Sequence, residues 1–286
     1  MHTIQSQGGF TMDLFKNGLN GFQLKLLALI FMTFDHIAYM SSEIIHVPIW
    51  FHIIGRISAP LFIFMVAEGM WHTRNRTKYI LRLYFSSVGM AVLNNLANTF
   101  FPMPSGGLII NNIFATMFLI TLFIHFGEKL ISTFKAKDFK KGSLALLVLL
   151  IPFILTFVVV MMMSILPHFV LQFIMTCIPT PLLVEGGLLW IVLGIGFYMC
   201  RGSKKKTGIF YVIFCIITFY LTTGMDLSLM NLFYINVQWL MILALPLLLL
   251  YNGQKGKGMR NFFYIYYPAH LYVLLGLSHL LYTFKN

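Results

Sequence analysis

Leu24-Lys-Leu-Leu-Ala-Leu-Ile-Phe-Met-Thr-Phe-Asp35-His36-Ile-Ala-Tyr-Met40 reads as a helix that crosses a lipid bilayer, yet it carries a carboxylate and an imidazole side by side at mid-depth. An ionisable group in hydrocarbon costs about 2.5 kcal/mol or more, so such groups face a polar cavity, pair with one another, or do chemistry. The chain around this stretch is 286 residues long, 59% hydrophobic and 10% charged, with a mean hydropathy of +0.84. Those values describe an all-α, multi-pass membrane protein and no ordinary soluble domain.

Apolar runs of span length fall at roughly 22–41, 49–71, 79–100, 107–126, 143–163, 182–200, 207–223, 232–251 and 261–283. The net charge of +12 is gathered between these runs. Lys16 and Lys25 precede the first, and Arg74, Arg76, Lys78 and Arg82 follow the second. Further groups lie at 129–141, 201–206 and 255–260, whereas the intervening loops 42–48, 101–106 and 224–231 hold no Lys or Arg. The positive-inside rule then places the N-terminus in the cytoplasm and, for nine spans, the C-terminus outside. Basic charge distributed this way marks topology and gives no reason to expect a nucleic-acid partner.

The stretch 164–181 is expected to be re-entrant or interfacial, because Pro167, Pro179 and Pro181 interrupt a helix there and a further full crossing would misplace the 201–206 cluster. Nine spans are expected, with ten as the rival count. The expected organisation is one transmembrane domain over 1–286, with 1–21 a cytoplasmic N-terminal segment. The polar residues 1–15 carry no leading basic patch, so no cleavable signal peptide is expected. The longest cytoplasmic loop spans about fifteen residues on this reading. Cys177, Cys200 and Cys215 lack metal-ligand spacing, and neither a metal site nor a disulfide framework is expected.

Arg56, in Ile53-Ile-Gly-Arg-Ile-Ser-Ala-Pro60, is the one basic residue well inside a span. Counting from the span ends at about 1.5 Å per residue puts it about 10 Å deep from outside, and Asp35 and His36 about 16–18 Å deep from inside. It is expected either to neutralise Asp35 or to hold an anionic substrate group. By the same count His270 lies about 14 Å deep, so two imidazoles share the midplane, with Tyr264, Tyr266 and Tyr267 nearby. The bland alternatives are a packed imidazole bonded to a carbonyl and an interfacial tyrosine belt.

Glu68 and His72 are four apart, on one helix face above Arg74, Arg76, Lys78 and Arg82. That run serves as a topological stop signal or, in addition, as a site for phosphates. Glu185, before Gly186-Gly187, suits a cationic acceptor or a helix cap. Asn94, Asn95, Asn111, Asn112 and Gln172 are amides of the kind that bond between helices. His46, His52, His125 and His279 stand at span ends and carry no comparable signal.

Asp35-His36, Gly55-Arg-Ile-Ser-Ala-Pro-Leu-Phe-Ile-Phe-Met-Val-Ala-Glu-Gly69 with His72-Thr-Arg74, Glu185-Gly186, Leu250-Tyr-Asn-Gly253 and Phe263-Tyr-Ile-Tyr-Tyr-Pro-Ala-His-Leu271 together resemble the TraX family, membrane proteins implicated in N-terminal acetylation of conjugative pilin. The resemblance runs over roughly 22–271. It implies an integral-membrane acyltransferase of the bacterial cytoplasmic membrane, drawing on acetyl-CoA or another acyl-CoA from the cytosol. The acceptor it implies is a peptide, pilin or other envelope amine or hydroxyl.

Acyl transfer needs a base for the acceptor and a positive or hydrogen-bonding group for the oxyanion. His36 or His270 suits the base or a transient acyl carrier, and Arg56 suits the thioester or oxyanion. Asp35 diverges from His36 by about 100° on the helix, so it is expected to serve Arg56 or His270. Glu68, His72, Arg74, Arg76, Lys78 and Arg82 are the expected donor-binding residues, and Glu185, Tyr267 and Asn112 the expected acceptor-binding ones. No loop can hold the sheet of a soluble acetyltransferase, so the donor must bind within the bundle. A proton-coupled transporter using the same intramembrane cluster is the alternative function, and a non-catalytic scaffold is a third.

Overall fold

The computed structural model describes residues 17–224 and 226–285, so most of the expected 1–21 segment lies outside the described residues. The helices are α1 Gly21–Ser41, α2 Trp50–Gly55, α3 Ser58–His72, α4 Arg76–Phe100, α5 Ile113–Lys135, α6 Phe139–Met162, α7 His168–Cys177, α8 Gly187–Met199, α9 Lys204–Thr223, α10 Leu245–Leu250 and α11 Arg260–Lys285. Among the described residues, six helical stretches are long and apolar enough to cross a membrane: Gly21–Ser41, Trp50–His72, Arg76–Phe100, Ile113–Lys135, Phe139–Met162 and Lys204–Thr223. Gly187–Met199 and Val237–Leu250 are shorter apolar helices.

The chain divides into two compact units, one of residues up to Met65 and from Cys200 onward, the other Val66–Met199. In the first unit, α1 starts where Asn20 forms a capping box. Its Oδ1 accepts from the N–H groups of Phe22 and Gln23, while Gln23 Oε1 accepts from Asn20 N–H at 2.9 Å. Leu19 pairs with the chain leaving α10, through Leu19 N–H to Leu250 O at 2.7 Å and Asn252 N–H to Leu19 O at 2.9 Å.

Leu24, Ala28, Met32, His36 and Met40 recur every fourth residue and are all buried, so His36 belongs to the packed stripe of α1. Helix α11 lies along that helix in parallel. Phe22 meets Phe263 at their starts, His36 meets His270 midway, and Lys285 Nζ donates to Ile44 O beyond the end of α1.

Pro60 explains the break between α2 and α3. It has no N–H to give Arg56 O, and its ring crowds that carbonyl. Ile57 N–H falls back to Ile54 O at 3.1 Å instead.

Several expected boundaries move. The expected fifteen-residue loop near 127–142 shrinks to Ala136–Asp138, because α5 continues to Lys135 and Asp138 caps α6 through Lys141 N–H. The Lys141 side chain, and then its N–H, hold the Asp138 carboxyl below the usual carboxylate range. The span expected from 107 begins as helix only at Ile113, because asparagines of α4 hold the preceding segment extended. The span expected from 182 becomes helical at Gly187, the second of two glycines with φ of 72° and 56°. That expected over 232–251 is a π-helical turn Asn231–Ile235, a 3-10 helix Val237–Ala244 and α10. The stretch 164–181 contains the ten-residue α7, started after Pro167 and too short to cross.

Candidate functional site

In the first unit, α1 meets α2 closely enough that a Cβ at Gly55 would lie 2.6 Å from Asp35 Cγ and Oδ1. Glycine is required there for backbone approach. The approach lets Arg56 Nη2 donate to Asp35 Oδ1 at 2.5 Å and to Oδ2 at 2.6 Å. Arg56 Nη1 donates to Gln238 Oε1 at 3.1 Å, and its Nε to His52 O at 3.3 Å. Only one of the five guanidinium N–H groups is left over, so the cation is chiefly a partner of protein acceptors and offers little to an oxyanion.

Asp35 has a second partner. His52 Nδ1 lies 3.1 Å from Asp35 Oδ1. A carboxylate accepts only, so Nδ1 carries the hydrogen and the neutral ring has its lone pair on Nε2. Asp35 therefore serves Arg56, as one of the expected options had it, and His52 in place of His270.

On the other flank of α1, His36 Nδ1 and His270 Nε2 are 2.7 Å apart with the rings stacked at 4.9 Å. His270 Nδ1 is 2.9 Å from Tyr266 O. The carbonyl can only accept, so His270 Nδ1 donates, its Nε2 accepts from His36 Nδ1–H, and the lone pair of the neutral pair comes to rest on His36 Nε2. Tyr266 stacks on His270 at 5.3 Å, and its hydroxyl lies 2.8 Å from Thr33 Oγ1, which itself donates to Leu29 O. Tyr267 sits edge-on to His270 at 5.7 Å. His36 and His270 are 4% and 7% exposed.

The remaining expected residues belong to the second unit and form separate groups. Glu68 and His72 face each other at 3.4 Å, as their spacing implies. Arg74 and Lys78 are exposed, and Arg82 lies over the Tyr79 ring at 5.5 Å. Arg76 departs from its expected donor-binding role: it pairs with Glu128 and donates to Tyr198 OH at 2.9 Å, while Tyr198 OH donates to Glu128 Oε1 at 2.6 Å. That closed triangle neutralises the guanidinium.

Glu185 and Asn112 do come together. Asn112 N–H donates to Glu185 Oε2 at 2.8 Å, and Thr116 Oγ1 donates to Glu185 O at 2.6 Å. Around them the amides of α4 tie down irregular backbone. Asn94 donates to Asn111 O, Asn98 exchanges two bonds with Ile109, and Asn95 donates to Thr176. Glu185 and Asn112 thus share one structural network.

His52, Gln238, Thr33, Glu128 and Tyr198 escaped the sequence reading. His52 and Glu128 are four residues from Arg56 and Ser132 in ordinary helical runs, and nothing local marks their long-range partners. For His52 the i, i+4 spacing to Arg56 was the available signal.

A profile described as TraX protein matches residues 20–278. The probable fimbrial assembly protein FimC, serogroup H1, of Dichelobacter nodosus is 37% identical over 75 residues, which are 24% of this chain and 29% of that protein. The chain therefore matches less than a third of that relative's length. No solved structure matches the chain. With the profile covering nearly every element from the Asn20 cap to the last turns of α11, the chain belongs to the TraX family.

Proposed function

We propose that this TraX-family protein is a nine-span acyltransferase of the bacterial cytoplasmic membrane, moving an acetyl or short acyl group from a cytosolic coenzyme A thioester to an amine or hydroxyl acceptor. The observation that carries the proposal is the hydrogen-bond chain from Tyr266 O through His270 to His36, which leaves a lone pair on His36 Nε2 in a buried site. In the reaction the acceptor heteroatom attacks the thioester carbonyl and its proton passes to His36 Nε2. The carbon–sulfur bond then breaks, and the thiolate takes that proton. His270 holds the ring orientation and shares the charge that develops on His36.

An odd number of crossings is supported by the parallel course of α1 and α11, since a tenth span would make the last helix antiparallel to the first. A cytoplasmic N-terminus follows from the basic loops. A relative titled a probable fimbrial assembly protein supports a pilus or fimbrial subunit as acceptor.

The test is purified full-length protein with labelled acetyl-CoA and a peptide acceptor. Transfer is expected in wild type, with His36→Ala and His270→Ala slower by about 10²–10⁴-fold, the usual contribution of a general base. Equal turnover in all three would remove the assignment. Proton movement across proteoliposomes without any acylated product would favour a carrier instead.

A further inference from the structure

Two side-chain bonds, about one helical turn apart, join α1 to α11. Thr33 and His36 are three apart on α1, and Tyr266 and His270 four apart on α11, so each pair shares one face of its helix. Thr33 Oγ1 meets the Tyr266 hydroxyl at 2.8 Å, and His36 Nδ1 meets His270 Nε2 at 2.7 Å. The histidine bond carries the proposed proton transfer. The hydroxyl bond takes no direct part in it.

The histidine bond depends on how the His270 ring is turned. Its outer torsion joins a tetrahedral to a trigonal carbon and is broad, so rotamer preference alone does not fix the ring plane. The Tyr266 ring lies against it, 10° from parallel with centroids 5.3 Å apart. A phenol ring has the same broad torsion, and this one is held at its hydroxyl. Thr33 has a single hydroxyl hydrogen and gives it to Leu29 O at 2.8 Å, so its oxygen is the acceptor and Tyr266 the donor. The bond to Leu29 O also selects the rotamer of Thr33. Order thus passes from the backbone of α1 to Thr33, to the Tyr266 ring, to the His270 ring, and so to the nitrogen that meets His36.

We propose that Thr33 and Tyr266 are positioning residues for the histidine pair, a hydroxyl rung that holds the ring plane of His270 and with it the bond to His36. The kinetic consequence rests on the acyl-transfer reading, whereas the state of the His270 ring is measurable without it.

The test uses full-length protein in lipid nanodiscs, with histidine labelled for nitrogen NMR, labelled acetyl-CoA and a peptide acceptor. In wild type the two His270 nitrogens, assigned by their loss in His270→Ala, should give the well-separated resonances of one tautomer. Tyr266→Phe keeps the ring and removes the donor; Thr33→Val keeps the shape and removes the acceptor. Either change should draw the two resonances together as the ring samples both tautomers. Either should also lower kcat about fivefold, the worth of one ordinary hydrogen bond, with KM for acetyl-CoA unchanged. The double variant should lose no more than a single one, because both remove the same bond. Thr33→Ser, which keeps the hydroxyl, should preserve the wild-type resonances and kcat.

The two single variants reach the rung from opposite helices, so poor folding of one leaves the other to decide. Resonances that stay apart in Tyr266→Phe and Thr33→Val would overturn the proposal. So would losses that add in the double variant, or a Thr33→Ser variant as impaired as Thr33→Val. Wild type that transfers no acetyl group would defeat the acyl-transfer reading, while the resonances would still decide the role of Thr33 and Tyr266.

Discussion

Asp35 shows how one side chain sets the character of the site. Its carboxylate retains 18% exposure and Arg56 25%, so the pair is partly desolvated. Removing one partner of a fully buried pair costs about 3–5 kcal/mol, and roughly 2 kcal/mol is the expected loss here for Arg56→Gln. Asp35→Asn combined with Arg56→Gln should be less destabilising than Arg56→Gln alone, which chemical unfolding in detergent can measure as a double-mutant cycle. Gly55→Ala tests the approach of α1 to α2. Alanine ordinarily favours a helix by up to about 1 kcal/mol, yet its methyl would strike Asp35, and a net loss of about 1–3 kcal/mol is expected from the overpacking. A thermally stabilised Gly55→Ala would show that the two helices separate freely.

Breaks and caps matter at the scale of elements. Pro60 interrupts the helix directly after the residue that must reach both Asp35 and Gln238. Pro60→Ala restores a donor for Arg56 O, so the melting temperature should hold or rise while acyl transfer falls about tenfold, as Arg56 is drawn from its present geometry. A variant with full transfer activity would show that the break has no part in placing Arg56. The amide of Asn98 does for Ile109 what a neighbouring strand would do, giving and taking one bond each at 3.0 and 2.8 Å. Ile109 is 1% exposed, so Asn98→Ala leaves both of its backbone groups unmet and should cost about 2 kcal/mol. Denaturant midpoints of the purified variant would register that loss.

At the scale of the whole molecule the prediction is topological. The proposed nine crossings would put the loop at Ala136–Asp138 in the cytoplasm and the loop at Asp226–Ser228 outside. Single cysteines introduced as Lys137→Cys and Ser228→Cys, in a background where Cys177, Cys200 and Cys215 are replaced, should be labelled by impermeant maleimide from opposite faces. Labelling of both from the same face would reject the count. The functional groups also sort by unit. Asp35, His36, His52, Arg56, Gln238, Tyr266 and His270 all belong to the unit formed by the two ends of the chain, while Glu68, Arg76, Asn112, Glu185 and their partners belong to the central one.

Much of this was legible in the chain itself. Each of the nine expected apolar runs contains helix, because hydrophobicity over about 20 residues and the absence of water to satisfy the backbone leave little other choice. That Asp35 and Arg56, and likewise His36 and His270, lie at matching heights was readable, since helical rise converts sequence position into height. Rise says nothing about azimuth or neighbour. Tertiary packing alone decided that Asp35 turns to His52, that His270 turns to His36, that Arg76 is taken by Glu128 and Tyr198, and that asparagines hold residues 107–112 out of a helix. Local sequence determined which segments enter the membrane and how deep their charges lie. Which charges meet was decided by helices packed side by side, because each ionisable group then takes whichever partner the neighbouring helix presents at its own height.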